Sequence, residues 1–191
     1  MQEVTFRPAT KRDCRTIASL YSISSDGVAD YIWTKLAIPG QEILEVGQAR
    51  YEREDTHFSY RNCTIAEFDS RIAGMLVAFP MHIDSQVAMP DDPVLRPYAM
   101  LEEDDSYYIC GIAVFPEFRG NRVGAGLLEF AERQARKTGY IKTSLVVFEQ
   151  NGQARQWYER HGYLVVKRAA IVPHPLIHYN GDALLMVKKL T

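Results

Sequence analysis

Apolar and polar positions alternate over residues 4–9, the period of a half-buried strand. Thr10 follows as an expected helix N-cap, ahead of Ile17, Leu20 and Tyr21 at helical spacing. Residues 26–36 form a second helical region, interrupted by Pro39 and Gly40, and helical spacing resumes over 43–54. Cys63–Phe68 and residues 72–80 read as strands joined by the turn Asp69-Ser70-Arg71, which predicts a hairpin. Residues 82–105 hold three prolines and end in four acids, and this predicts a long irregular loop. Loops of that length in compact domains are usually functional or mobile.

The second half is more regular. Residues 107–115 are almost continuously apolar, which predicts a strand buried on both faces. A helix is expected over 124–138, with Leu127, Leu128, Ala131 and Ala135 inward and Glu129, Glu132, Arg133 and Arg136 in water. Gly139 ends it. An apolar strand at 141–148 follows, then a short helix capped by Asn151 and ended by Gly162. Residues 164–172 and 183–190 close the chain as strands. The central strand-helix-strand succession needs a crossover and therefore parallel pairing, while the ends suit antiparallel pairing. The expectation is a mixed α/β sheet with helices on its faces. No repeat or linker divides the chain, so residues 1–191 are expected to be a single domain.

Composition changes this picture little. The 191 residues are 47% hydrophobic and 24% charged, as in an ordinary globular protein. A formal net charge of −2 gives no general attraction to nucleic acid or to an anionic membrane. No stretch approaches the ~20 apolar residues of a membrane span. The polar residues 1–12 lack the apolar core of a signal peptide. Cys14, Cys63 and Cys110 have the spacing of neither a disulfide framework nor a metal site. A cytoplasmic location without a metal is the expectation. Oligomeric state is left open, a homodimer being the commonest soluble assembly.

The chemistry concentrates where the apolar strand runs through Phe115, Pro116, Glu117 and Phe118 into the next helix. The segment Arg119-Gly120-Asn121-Arg122-Val123-Gly124-Ala125-Gly126 is rich in small residues. The first amides of a helix have no partner inside it, and they point outward with the positive end of the helix dipole. Together they make an anion site suited to a pyrophosphate. Arg119 and Arg122 add charge, and no acid stands between Arg119 and Leu128. The plainer reading is a glycine turn that only permits tight packing, because lone glycine motifs are weak signals. Other phosphate motifs fit worse. The Gly-Lys-Ser/Thr of a P-loop is missing, and Glu129 stands where a dinucleotide fold needs its third glycine.

Further along come Asn151, Ala154, Tyr158, Gly162 and Tyr163. With Val114, Pro116, Arg119, Gly124, Leu127 and Leu128 ahead of them, this ordered set resembles the GNAT superfamily, the Gcn5-related N-acetyltransferases. Its pattern is a strand ending near Val-x-Pro, then Arg-x-x-Gly-x-Gly/Ala and a helix beginning Leu-Leu. Asn-x-x-Ala-x-x-x-Tyr-x-x-x-Gly-Phe/Tyr follows. The match covers residues 106–163 and departs at one place: Arg122 stands at the first glycine of the core. That departure is compatible with phosphate binding provided the position does not need positive φ.

The resemblance implies a mostly antiparallel sheet of about seven strands, with the fourth and fifth parallel and splayed apart. It implies acetyl-CoA as cosubstrate and direct attack by a primary amine of a small molecule or protein. The backbone of Ile112, Ala113 and Val114 would hold the pantetheine arm and polarise the thioester oxygen. The amides of Gly120, Asn121, Arg122, Val123, Gly124 and Ala125 would hold the pyrophosphate. Asn151 would bind near the pantetheine or the phosphates, and Tyr158 would protonate the leaving sulfur. Each also has a plainer role: Tyr158 as a core aromatic, Asn151 as an N-cap, Cys110 as a buried small side chain rather than an acyl carrier. The acids 102–105, Glu67 and His82 are candidates for the base that frees the amine, and His174 and His178 read as inert loop residues. Residues 21–60 and 82–105 are expected around the acceptor, with Tyr31, Trp33 and Tyr98 as wall or core. Two other functions fit less well: a non-catalytic acyl-CoA sensor, which has no need of Tyr158, and an unrelated nucleotide binder using only the glycine turn.

Overall fold

The computed structural model describes residues 4–84 and 86–190. Residues 1–3 of the polar N-terminus and Ser85 of the long loop lie outside the described residues. Seven strands form one sheet in the order β1-β2-β3-β4-β5-β7-β6. They are β1 (Val4–Pro8), β2 (Cys63–Phe68), β3 (Arg71–Met81), β4 (Ser106–Val114), β5 (Lys142–Phe148), β6 (Leu164–Ala170) and β7 (Asp182–Lys189). The helices are α1 (Cys14–Ser24), α2 (Val28–Leu36), α3 (Ile43–Tyr51), α4 (Arg96–Ala99), α5 (Val123–Lys137) and α6 (Gly152–Arg160). β1–β2, β2–β3, β5–β7 and β6–β7 pair antiparallel, whereas β4–β5 is parallel. The parallel register joins Tyr107 to Thr143 and Tyr108 to Ser144. This is a mixed, mostly antiparallel seven-stranded sheet with a parallel β4–β5 pair.

The residues group into two compact units. The first runs through Phe79 and resumes with Cys110–Ala131. Here the β2–β3 hairpin turns through Asp69 (φ 48°) and Ser70 (φ 63°), the doubly left-handed turn that suits the twist of paired strands. Ile17, Leu20, Ile65, Met75 and Leu127 are fully buried. Thr10 does not cap α1 directly. A one-turn 3-10 helix, Lys11–Asp13, comes first, and Thr10 uses its N–H (2.7 Å) and hydroxyl (2.9 Å) to bond Asp13 Oδ2. Arg7 grips the same carboxylate with two nitrogens, at 2.9 and 3.0 Å, and donates to Glu67 at 2.7 Å.

The Arg7 guanidinium holds the Asp13 carboxyl down at about 2, below its ordinary 3.8. A depressed carboxyl contributes stability above its unfolded pKa and loses it as pH falls through the folded one. The fold should therefore lose about 2 kcal/mol between roughly pH 4 and pH 2 on this account. Urea denaturation of Asp13→Asn should show a less stable protein at pH 7 and a flatter profile below pH 4. A variant as acid-sensitive as the parent would place the sensitivity elsewhere.

The second unit comprises Pro80–Ile109 and the chain from Glu132 onward. Leu101, Leu145, Tyr163, Leu184 and Leu185 are among its fully buried large side chains. The expected loop 82–105 is irregular apart from α4, and its end is tied back by Ile83 N–H donating to Asp104 Oδ1 (2.8 Å).

Three sequence expectations need correction. β4 is not buried on both faces: Ile109, Gly111 and Ala113 are buried while Cys110, Ile112 and Val114 are only half-buried. Its continuous apolar run is covered fully on one face and only partly on the other. Glu132 does not face water; it is 7% exposed, because Lys188 meets its carboxylate at 2.7 and 2.8 Å. The strand expected over 164–172 stops at Ala170.

Candidate active site

The first unit carries the strand-to-helix segment. β4 ends as Phe115 N–H donates to Ala73 O at 2.9 Å. The 3-10 turn Pro116–Phe118 then drops Phe118 into the core, beside the Phe68 ring (centroids 5.9 Å) and beneath the Arg71 guanidinium (4.8 Å). That anchor fixes where the next residues begin. Asn121 Nδ2 donates to Phe118 O (3.2 Å) and Arg119 O (3.4 Å), which occupies carbonyls that would repel an anion. Arg119 Nε donates back to Val114 O at 3.4 Å.

Gly120 (φ 81°) and Arg122 (φ 60°) are both left-handed. Left-handed residues spaced within a turn aim successive amides to one side, the device of backbone anion cradles. A Cβ on Gly120 would meet nothing within 4 Å, so this corner is open to solvent. Arg122 sits at positive φ, against the condition attached to it, but the left-handed turn forms with arginine in place, so the departure from glycine does not by itself remove the cradle. A left-handed non-glycine residue costs about 1–2 kcal/mol, which the anchored turn imposes rather than avoids.

The first α5 ladder bond is Gly126 N–H to Arg122 O at 2.9 Å. The amides of Val123, Gly124 and Ala125 precede it and have no acceptor within the helix. Gly126 serves packing instead: a Cβ there would lie 2.7 Å from the Phe6 ring, so only glycine lets α5 sit this close to β1. The segment thus combines outward amides, a helix N-terminus, two arginines and no carboxylate, and this donor set fits a diphosphate.

The second unit carries α6. Asn151 Oδ1 accepts from Ala154 N–H at 3.1 Å, so its N-cap role is real. Tyr158 is half-buried, edge-on to Trp157 (4.9 Å) and Tyr163 (5.7 Å). The base candidates separate by their partners. Glu67 is bound by Arg7 and Glu103 by Lys142, while His82 Nε2 meets Tyr140 OH at 2.8 Å. Asp104 is held low by the Ile83 N–H, and Glu102 is pushed up by burial. His174 Nδ1 accepts from Leu176 N–H at 3.2 Å, as a loop residue does.

Cys110 is engaged by the Tyr21 hydroxyl at 3.2 Å, and burial pushes its thiol up to about 12. A group so far from thiolate at neutral pH makes a poor acyl carrier. Trp33 is buried at 2% exposure, packed with Tyr21, which also stands edge-on to Tyr51 and Phe58. Tyr31 is buried too, and Tyr98 packs edge-on to Phe148. Among the described residues no three or more His, Cys, Asp or Glu side chains gather as metal ligands. No helix among them is long and apolar enough to cross a membrane.

The sequence model of the acetyltransferase (GNAT) family matches residues 30–163, which span both segments. The chain belongs to the GNAT acetyltransferase family. No curated protein sequence is significantly similar to this GNAT chain. Solved structures share its fold at low identity. A crystal structure of an acetyltransferase superposes with a TM-score of 0.67 at 19% identity, covering 98% of this chain and 100% of that one. An N-acetyltransferase from Staphylococcus aureus Mu50 gives 0.64 at 17% identity, over 96% and 99%. The PaiA N-acetyltransferase of Thermoplasma acidophilum, solved in complex with coenzyme A, gives 0.57 at 17%, over 98% and 99%.

Proposed function

We propose that this GNAT protein is an acetyl-CoA-dependent N-acetyltransferase, a single domain over residues 1–191, acting in the cytoplasm on a primary amine of a small molecule or protein. The observation that carries the proposal is the turn at Gly120 and Arg122: two left-handed residues lead into the N-terminus of α5, a geometry suited to an anion, and no carboxylate stands in the segment. In this reading the amides from Gly120 to Ala125 and the charges of Arg119 and Arg122 hold the pyrophosphate. The backbone of Ile112, Ala113 and Val114 at the end of β4 holds the pantetheine arm and polarises the thioester carbonyl. Asn151 fixes the start of α6 and binds near the pantetheine or the phosphates. The amine attacks the carbonyl carbon directly in a ternary complex, its nitrogen gives up a proton to water, the carbon–sulfur bond breaks, and the Tyr158 hydroxyl gives its proton to the departing sulfur and regains one from water.

A panel of polyamines, aminoglycosides, arylalkylamines and peptides with free N-termini, scored by thiol release from acetyl-CoA, tests the reaction. At least one should release thiol, and release equal to the amine-free blank throughout would defeat the enzymatic reading. Binding is tested separately by thermal denaturation. Acetyl-CoA at 100 times its Kd should add about 2.7 kcal/mol, and CoA nearly as much, because both carry the pyrophosphate and pantetheine. A melting temperature unmoved by millimolar acetyl-CoA would overturn the cradle.

A further inference from the structure

The second unit contains a buried polar chain that ends at Tyr158. Tyr163 has no solvent exposure, and its hydroxyl lies 2.8 Å from Thr143 Oγ1 and 3.4 Å from Glu132 Oε1. The hydroxyl has one hydrogen, so donation to the carboxylate leaves it to accept from Thr143. Lys188 Nζ grips both Glu132 oxygens, at 2.7 and 2.8 Å, and stands 5.8 Å from the centre of the Tyr163 ring. Tyr163 in turn holds Tyr158 twice: its N–H donates to Tyr158 O at 3.1 Å, and its ring meets the Tyr158 ring edge-on at 65°.

Stability is a weak reason for this arrangement. Taking a lysine and a glutamate out of water costs about as much as their attraction returns, and apolar replacements are often as stable. A fully bonded network instead fixes one geometry. Phenylalanine at position 163 would fill the same space without asking for a carboxylate.

We propose that Glu132, clamped by Lys188, is a positioning group that acts through Tyr163 to hold the Tyr158 ring at the angle from which it delivers its proton. This rests on the reading of Tyr158 as the acid. A small misplacement of a reacting group is enough to cost rate without costing binding.

The test is a double-mutant cycle on single-turnover transfer from acetyl-CoA to the best amine of the panel. Tyr163→Phe and Glu132→Gln should each slow transfer about five- to tenfold, with acetyl-CoA affinity unchanged. In a Tyr158→Phe background neither should slow it further. Equal slowing in both backgrounds, or none in either, overturns the positioning role while leaving the acid intact. An unchanged rate in Tyr158→Phe alone overturns the acid, and the positioning role with it. A second readout needs no acceptor and no Glu132 variant. In protein labelled with 13C at tyrosine Cζ, the resonance lost in Tyr158→Phe should shift or broaden in Tyr163→Phe. A Tyr158 resonance that stays where it was would sink the inference.

Discussion

Tyr158→Phe is expected to lower the single-turnover rate of acetyl transfer by about 10²–10⁴-fold while acetyl-CoA binds as before. The phenol gives up its proton only as the carbon–sulfur bond breaks, so its loss is felt in the transition state rather than the ground state. That factor corresponds to about 3–5 kcal/mol of barrier. Phenylalanine keeps the ring, and with it the edge-on contacts to Trp157 and Tyr163, so the fold should survive. Rapid quench under excess enzyme isolates the chemical step from product release. A variant that transfers at the parent rate would make Tyr158 a packing residue. One that loses acetyl-CoA affinity and melting temperature together would make its hydroxyl structural.

What could be read from the chain divides by range. Local periodicity located the seven strands and the five longer helices, because alternation and helical spacing are set within a few residues. The order of small residues from Gly120 to Gly126 located the strand-to-helix turn, because amide access depends on what stands beside the backbone. The turn's own geometry was less legible. Arginine at position 122 argued against positive φ, yet Phe118 and Asn121 anchor the loop firmly enough to hold it there. Burial set by distant partners left no local trace. Glu132 falls on the polar side of its helix by spacing, and Lys188, brought in by β7, together with the Tyr163 hydroxyl makes its burial tolerable. Likewise Arg7, Asp13 and Glu67 are unremarkable in order and become one network only when β1 lies against β2. The apolar run of β4 misled for a related reason, since a strand with one half-covered face can be as apolar as one covered on both. Gly126 looked like part of the phosphate motif and is required by the Phe6 ring.

Gly124→Asp is expected to remove most of the stabilisation by acetyl-CoA and CoA. Gly124 is the second residue of α5, among the amides that precede the first ladder bond. A carboxylate there would stand where a pyrophosphate oxygen is to be held, and its Cβ would crowd the same space. Two like charges about 4 Å apart near a protein surface repel by about 4 kcal/mol. At 1.4 kcal/mol for each tenfold, affinity should fall by at least about 100-fold. The free protein should not suffer, because an acid in the first turn of a helix meets the positive end of its dipole and adds about 0.3–1 kcal/mol of stability. The variant therefore separates binding from folding: its melting temperature without ligand should equal or exceed the parent's, while acetyl-CoA at 100 times the parent's Kd should add less than about 0.5 kcal/mol. Gly124→Ala, which adds the Cβ without the charge, should fall between the two. If Gly124→Asp folds and still gains the parent's full shift with acetyl-CoA, the phosphates are held elsewhere, and the left-handed turn at Gly120 and Arg122 serves only to join β4 to α5.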